Sequence, residues 1–344
     1  MIRIWTYILG LMLWASAGAQ TAPPEDYYAS AFNEMSDMLV GRNTLSIKRA
    51  VYLAEWAFYE GALDYKTDFC DEIDRIAKFV NRFYAVNKLS EYSTGKQMAL
   101  NEYFFRPYSG NQYKPYTYDF ATYFSAENLW EEQFVSKVLK THTGQCRSLP
   151  WLYKILANEI EADVSIALAP RHCYIMYEDK DNLTPETWIN LELTTHQMQP
   201  AWWIKQDFEI RDSAVIVGTY MTPLTDIQTV ACQMAELALG YHAKFGRYDE
   251  FTYHCASLSL KFHPTNPLAW IIRGKSLDRI IFDYFKITDN NVDNYAAYLL
   301  HLMDETIWGW EHTYMTEETD EIREKRKLQA IEAQKYTQEQ LLSK

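Results

Sequence analysis

Three short segments in the middle of the chain contain the side chains best suited to chemistry. Cys146 follows Gly144 and Gln145 and precedes a helical pattern of apolar residues. His172 comes 26 residues later, at the start of a β-like run, and Glu192 comes 20 residues after that in another β-like run. A thiol, an imidazole and a carboxylate in this order predict nucleophilic acyl transfer through a covalent intermediate.

Each of these side chains has an expected role. The attacking form of a cysteine is the thiolate, which a helix N-terminus and a neighbouring imidazolium favour. We expect Gly144 to allow a sharp turn that places Cys146 in the first turn of a helix. His172 would take and return the proton. Glu192 would orient the imidazole, with Asn190 as the alternative, because both residues share one face of the strand.

Residues beside this set are candidate substrate contacts. Gln145 could donate a hydrogen bond to an oxyanion, and Arg147 is either a substrate contact or a cation at the helix end. Trp202 and Trp203 either line a groove or seal the sheet. Aromatic residues make up 15% of the chain, so a stacking surface for sugars or peptides is an open alternative to simple core packing.

No metal or cofactor is expected. His172-Cys173 and His254-Cys255 are adjacent pairs, and zinc ligands need wider spacings. The chain contains no glycine-rich phosphate loop. We expect Cys173 to face away from His172 and to serve in packing, whereas Cys232 and Cys255 are either core residues or a disulfide.

The ordered set resembles the transglutaminase-like superfamily, a circularly rearranged relative of the papain-like cysteine peptidases. That family has Gly-x-Cys at a helix start, a His that opens a strand, and an Asp within Trp-x-x-x-Asp-x-Thr. The matching residues are Gly144, Gln145 and Cys146, then His172 with Tyr174, then Trp188, Glu192 and Thr194, with Glu192 in place of the family's Asp. The resemblance covers roughly residues 120–200.

The resemblance implies a papain-like α+β core and cysteine peptidase or amidase activity on peptide or isopeptide amides. The acyl-enzyme would be resolved by water or by an amine. Some relatives of the superfamily have lost their catalytic Cys and only bind, so a noncatalytic protein that binds a peptide or protein partner is the alternative. Because this chain retains Cys146, the pattern favours catalysis.

The N-terminal residues predict where the protein is located. Residues 1–19 have the features of a secretory signal peptide: Arg3, an apolar run over 4–14, and small residues before the cleavage site. The prediction is therefore a secreted or periplasmic protein that is soluble after signal cleavage.

The charge balance bears on the partners of the protein. Lys and Arg number 33 against 46 Asp and Glu, which gives a net charge of -13 and argues against nucleic acid as a partner.

Periodicity predicts an α+β fold with four further regions. Residues 26–108 form an N-terminal helical region, and 109–221 hold the transglutaminase-like domain. Its predicted helices are 126–139 and 146–160, after a turn-rich loop over 106–118, and its predicted strands are 164–168, 173–177 and 188–193. Residues 222–316 are helical, and 317–344 form a charged tail.

The region 222–316 contains an internal repeat. Leu239-Gly240 lies 34 residues before Arg273-Gly274, and Pro264 closes the unit. This resembles the tetratricopeptide helix–turn–helix repeat, although Glu236 stands where the repeat has Trp. A solenoid needs about three repeats to be stable alone. We therefore expect the region to dock on the middle region of the chain and to offer a surface for a protein partner.

Overall fold

The structure is a computed structural model. It describes residues 23–123, 130–182, 184–289 and 291–316, together with separate residues between 321 and 335. The predicted signal peptide and most of the predicted charged tail lie outside these residues. Within the described part of the chain, no helix has both the length and the apolar character needed to cross a membrane.

Most of the described chain is helical. Its α-helices are α1 Pro24–Leu39, α2 Ile47–Phe58, α3 Asp71–Val86, α4 Gly95–Phe105, α5 Phe120–Tyr123, α6 Val135–Thr141, α7 Ser148–Glu159, α8 Ala201–Asp207, α9 Asp212–Ile216, α10 Asp226–Phe245, α11 Glu250–Phe262, α12 Pro267–Ile287 and α13 Asn294–Thr313. A π-helical turn leads into α3, and short 3₁₀ turns precede α4, β1 and α6, with β1 Thr117–Tyr118.

The strands form two sheets. In the smaller sheet, β1 pairs in parallel with β2 Thr143–Gly144. The larger sheet is an antiparallel meander in the order β3-β4-β5-β6, with β3 Ser165–Ala169, β4 His172–Glu178, β5 Trp188–Glu192 and β6 Gln197–Gln199. The fold is therefore mixed helix and sheet, as the α+β prediction states.

Both faces of the larger sheet are covered at β3 and β4, which explains why these two strands carry apolar residues on both faces. One face carries Cys173, Ile175 and Tyr177 and packs into the main core, with α7 against β3 and β4. The other carries Tyr174 and Met176 and packs against α8, α9 and the segment that follows them. Alternation along β4 places His172 on this second face.

Local sequence sets the helix starts in the predicted repeat region. Thr225, Asp249, Asn266 and Asp293 precede α10, α11, α12 and α13, and each side chain accepts a hydrogen bond from a backbone N–H of the first turn. Such capping typically contributes about 1 kcal/mol per helix. Each of these helices contacts the next, which agrees with helix–turn–helix packing.

The main core is shared between the three predicted regions. It contains residues from the N-terminal helices, the sheet and the repeat region, from Tyr28 to Ile272. The repeat region docks chiefly through α10, which packs on α1 and α2. The expected docking is therefore present, but its main surface is the N-terminal helical region and not the middle region.

Two element predictions are wrong in detail. The helix predicted over 126–139 is interrupted. Residues 124–129 lie outside the described residues, a 3₁₀ turn spans Trp130–Gln133, and α6 begins only at Val135. The segment predicted as a turn-rich loop over 106–118 includes β1, because its backbone pairs with the strand directly before Gln145.

A buried carboxyl from α2 holds the start of α6. Glu55 is 3% exposed, and its two oxygens accept hydrogen bonds from the N–H groups of Val135 (2.6 Å) and Ser136 (3.0 Å). Burial outweighs these bonds and raises the pKa of Glu55 from 4.5 to about 7. The protonated carboxyl is thus favoured in the native protein but not in the unfolded chain.

This shift predicts a pH-dependent stability difference between the wild type and Glu55→Gln. Between about pH 4.5 and 7 the native protein binds a proton at Glu55 that the unfolded chain has released. The stabilisation that proton binding at Glu55 gives to the folded protein is thus complete below pH 4.5 and is lost as the pH rises through 7. The free energy of unfolding of the wild type should fall relative to the variant by about 2–3 kcal/mol between pH 5 and 8. Urea unfolding of both proteins measures it, and a constant difference across pH would contradict the prediction.

Candidate functional site

The nucleophile candidate lies at the start of α7. The helix begins at Ser148, two residues after Cys146, and the N–H of Leu149 already donates to the carbonyl of Gln145 at 3.1 Å. The turn that carries Cys146 is therefore the helical N-terminus, where backbone N–H groups favour negative charge. Cys146 is partly exposed, and its thiol lies 3.9 Å from the carbonyl oxygen of Arg171.

The reason for Gly144 differs from the expected one. Its backbone is in β2 and is not among the residues with positive φ, so no sharp turn occurs there. A Cβ at this position would lie 2.7 Å from Val138 Cγ2 and 2.8 Å from Ser148 Oγ. Glycine is required because α6 and the start of α7 approach the backbone closely.

His172 and Glu192 are brought together at the ends of β4 and β5. The imidazole Nε2 lies 2.6 Å from Glu192 Oε2. The other carboxylate oxygen, Oε1, accepts bonds from the N–H (3.0 Å) and hydroxyl (2.8 Å) of Thr194. Glu192 is 4% exposed, so its side chain is held in one orientation, and that orientation faces the imidazole.

The structure distinguishes between the two candidate orienting residues. Asn190 shares the face of Glu192, as expected, but its amide Nδ2 donates to the carbonyl of Gln199 on β6 at 3.3 Å. The imidazole of His172 is therefore paired with Glu192. The Glu192 side chain is one methylene longer than the Asp of the family pattern, and it reaches the imidazole ring.

The imidazole also interacts with the thiol. The side chains of Cys146 and His172 are near enough for each to shift the pKa of the other. Since Nε2 is engaged by Glu192, Nδ1 is the nitrogen left to face the sulfur. On its flat side the ring stacks on Phe208, with centroids 4.7 Å apart and planes at 22°. Phe208 ends α8, and nothing in the sequence pattern indicated this contact.

The electrostatics favour a charged pair. Burial opposes ionisation of Cys146, but the hydrogen bond and charge of His172 outweigh it, so the pKa of the thiol lies below its usual value. Burial likewise disfavours the imidazolium, yet Glu192 and Cys146 raise the pKa of His172 to about 10. Burial also works against the Glu192 carboxylate, but His172 and Thr194 hold the pKa of that carboxyl below its usual value. All three shifts favour the charged forms of these groups, namely the thiolate, the imidazolium and the carboxylate.

The predicted substrate contacts are located as follows. The side-chain amide of Gln145 donates to the carbonyl of Asp119 at 2.9 Å, so it is held in a buried position. Arg147 pairs with Glu236 on α10. Trp202 lies in α8 and is 63% exposed, whereas Trp203 packs against the second core cluster. Trp202 thus remains the accessible aromatic candidate, and Trp203 helps to seal the sheet.

The remaining cysteines are not part of the reacting set. Cys173 faces away from His172, as expected, and its thiol donates to the backbone carbonyl of Cys146 at 3.1 Å. Cys232 and Cys255 are free and buried, so they are core residues and not a disulfide. Among the described residues, no cluster of three His, Cys, Asp or Glu side chains could hold a metal ion.

Comparisons with protein-family models, with curated proteins and with solved structures find no match to this chain. The transglutaminase-like and tetratricopeptide-like resemblances therefore rest on the sequence motifs alone.

Proposed function

We propose that this protein is a transglutaminase-like cysteine hydrolase or acyltransferase that acts on peptide or isopeptide amides. The observation that carries the proposal is that the imidazole of His172 pairs with the carboxylate of Glu192 and also interacts with the thiol of Cys146. The predicted signal peptide assigns the enzyme to a secreted or periplasmic location. The enzyme needs no cofactor for this chemistry.

The geometry supports an acyl-enzyme mechanism. The thiolate of Cys146 attacks the amide carbonyl carbon, and the π electrons of the C=O bond move to oxygen. When this species collapses, the C–N bond breaks and the proton of His172 goes to the leaving nitrogen, which leaves a thioester. Water or an amine then attacks the thioester and gives its proton to His172. The C–S bond breaks, and the thiolate–imidazolium pair is restored.

Glu192 supports both halves of this cycle without taking the proton. Its carboxylate keeps the imidazole in the orientation in which Nδ1 faces the sulfur, and it stabilises the imidazolium. Thr194 holds the carboxylate through two hydrogen bonds. Backbone N–H groups at the start of α7 are candidates for stabilising the oxyanion, because the first N–H groups of a helix have no acceptor within the helix.

Alkylation of the mature protein with iodoacetamide across pH tests the charged pair. The rate at Cys146 should stay high below pH 7 in the wild type, since its thiol ionises below its usual range. In His172→Ala the same peptide should react only as the pH approaches about 8.5, the range of a free thiol. Mass mapping separates Cys146 from Cys70, the other partly exposed cysteine, which serves as the internal reference. Equal profiles in both proteins would refute the pair.

The second candidate function is noncatalytic binding of a peptide or protein by the predicted repeat region. One observation favours it: α13 exposes large apolar side chains, including Tyr298 (53%) and Trp308 (61%). Beside them, an apolar groove between α12 and α13 is lined by Ile271, Met303 and Trp310. Large exposed apolar patches commonly mark interaction sites.

A further inference from the structure

The residue after the candidate nucleophile is held by a distant helix. Arg147 lies directly before α7, but its side chain extends to α10. Its Nη1 lies 2.9 Å and 2.7 Å from the two carboxylate oxygens of Glu236, which is 89 residues away. The exposed fractions of the two side chains are 25% and 16%. An ion pair so shielded from water is costly to break on one side only.

A second contact to Arg147 comes from Trp130, which packs on the same face of α10. The guanidinium of Arg147 lies 5.7 Å from the centre of the Trp130 ring, within cation–π range. Trp130 in turn lies against Gly240, where an added Cβ would be 3.1 Å from its indole nitrogen. Glu236 and Gly240 are four residues apart and therefore lie on one face of α10. This face supplies a carboxylate for Arg147 and the space for Trp130.

The anchoring helix is itself firmly held. It packs on α1 and α2 and contributes to the main core, so its position does not depend on the loop that carries Cys146. In addition, the positive charge of Arg147 is among the groups that lower the pKa of the Cys146 thiol, next to His172. The buried ion pair therefore has both a mechanical and an electrostatic effect at the nucleophile.

We infer that Glu236 is a positioning residue for Cys146: through Arg147 it fixes the turn before α7 and keeps a positive charge beside the thiolate. Without Glu236 the guanidinium would lack its counter-charge, and it would turn towards water. The inference rests on the proposed function, because it assigns Glu236 a role in the same reaction. It also explains why a carboxylate occupies the position at which the repeat pattern has Trp.

The test is the pH profile of Cys146 alkylation in the full mature chain, with iodoacetamide as the probe. Glu236→Gln should lower the rate at pH 6 by about tenfold, which corresponds to a rise of about one unit in the pKa of the thiol. Arg147→Met should lower it equally, and the double variant should be no slower than either single variant, because both residues act through one contact. Glu305→Gln, which affects the ion pair to Arg273 in the same helical region, is the matched control and should leave the profile unchanged.

Arg147→Lys provides a second, milder variant should Glu236→Gln fail to fold. Lys keeps the positive charge and can still pair with Glu236. The alkylation rate of Cys146 at pH 6 should therefore be close to that of the wild type and higher than that of Arg147→Met. Equal profiles for Lys and Met at this position would overturn the inference, as would a Glu236→Gln profile that overlaps the wild type. If the wild type itself shows no reactivity below pH 7, the proposed function falls, and this inference falls with it.

Discussion

Replacing Cys146 with Ala should abolish amide turnover and leave the fold intact. The thiol is partly exposed, and its loss leaves α7 and both faces of the sheet packed, so the unfolding temperature should change by only a few degrees. The reaction loses its nucleophile and cannot form the thioester. We expect turnover to fall by at least about 10⁴-fold, towards the level of the uncatalysed reaction.

A pooled library of fluorogenic peptide amides measures this effect on the wild type and the variant. Cys70→Ala is the matched control, because Cys70 is also partly exposed but lies in the turn before α3. This control should retain full turnover. Retained turnover in Cys146→Ala would exclude Cys146 as the nucleophile. A wild type that cleaves no amide but still binds a partner, and loses that binding on Trp310→Ala, would favour the noncatalytic alternative.

The second large effect is expected for Glu192→Gln. The variant keeps the shape of the side chain but removes the charge that faces His172 Nε2 at 2.6 Å. The pKa of His172 should then fall from about 10 towards its ordinary value of 6.5. The imidazolium then deprotonates at a lower pH than in the wild type, and the thiolate loses the positive charge of His172 beside it. We expect turnover at neutral pH to fall by about 10²–10⁴-fold.

The raised pKa of His172 also predicts the direction in which the pH profile of this variant shifts. In the wild type the pKa of His172 is raised, so the imidazolium that protonates the leaving group persists until pH approaches about 10. The alkaline limb of kcat/KM should therefore lie near that pH, and in Glu192→Gln it should move down towards neutral pH. Asn190→Ala, on the same face of β5, is the control and should leave the alkaline limb in place, since Asn190 bonds Gln199. An unmoved limb in Glu192→Gln would show that another group orients the imidazole.

The features that sequence predicted well are those with a local physical cause. Alternating and continuous apolar runs predicted the three main strands, whose observed bounds differ by one residue or so from the predicted ones. Helical spacing predicted that residues 222–316 are helical, and the structure has α10 to α13 in this region. Both patterns arise from residues that lie within the predicted element or next to it.

The candidate site was predictable to the level of residue types and order. Cys146, His172 and Glu192 are brought together, and Cys173 faces the opposite side of β4, as alternation requires. The family pattern favoured Glu192 over Asn190, but the strand pattern could not separate them, because both lie on one face of β5. The structure separates them through β6, a strand that was not predicted, whose Gln199 carbonyl accepts a hydrogen bond from the Asn190 amide.

By itself, then, the sequence determined most of the helical and strand segments and the order of the reactive side chains. Only the tertiary structure decided how distant segments support them. Glu55 caps α6 from 80 residues away, Glu236 pairs with Arg147 across 89 residues, and Phe208 stacks on His172. The reason is physical: periodicity and capping act over one or two turns of chain, whereas a buried ion pair or ring contact exists only where packing removes water from both partners at once.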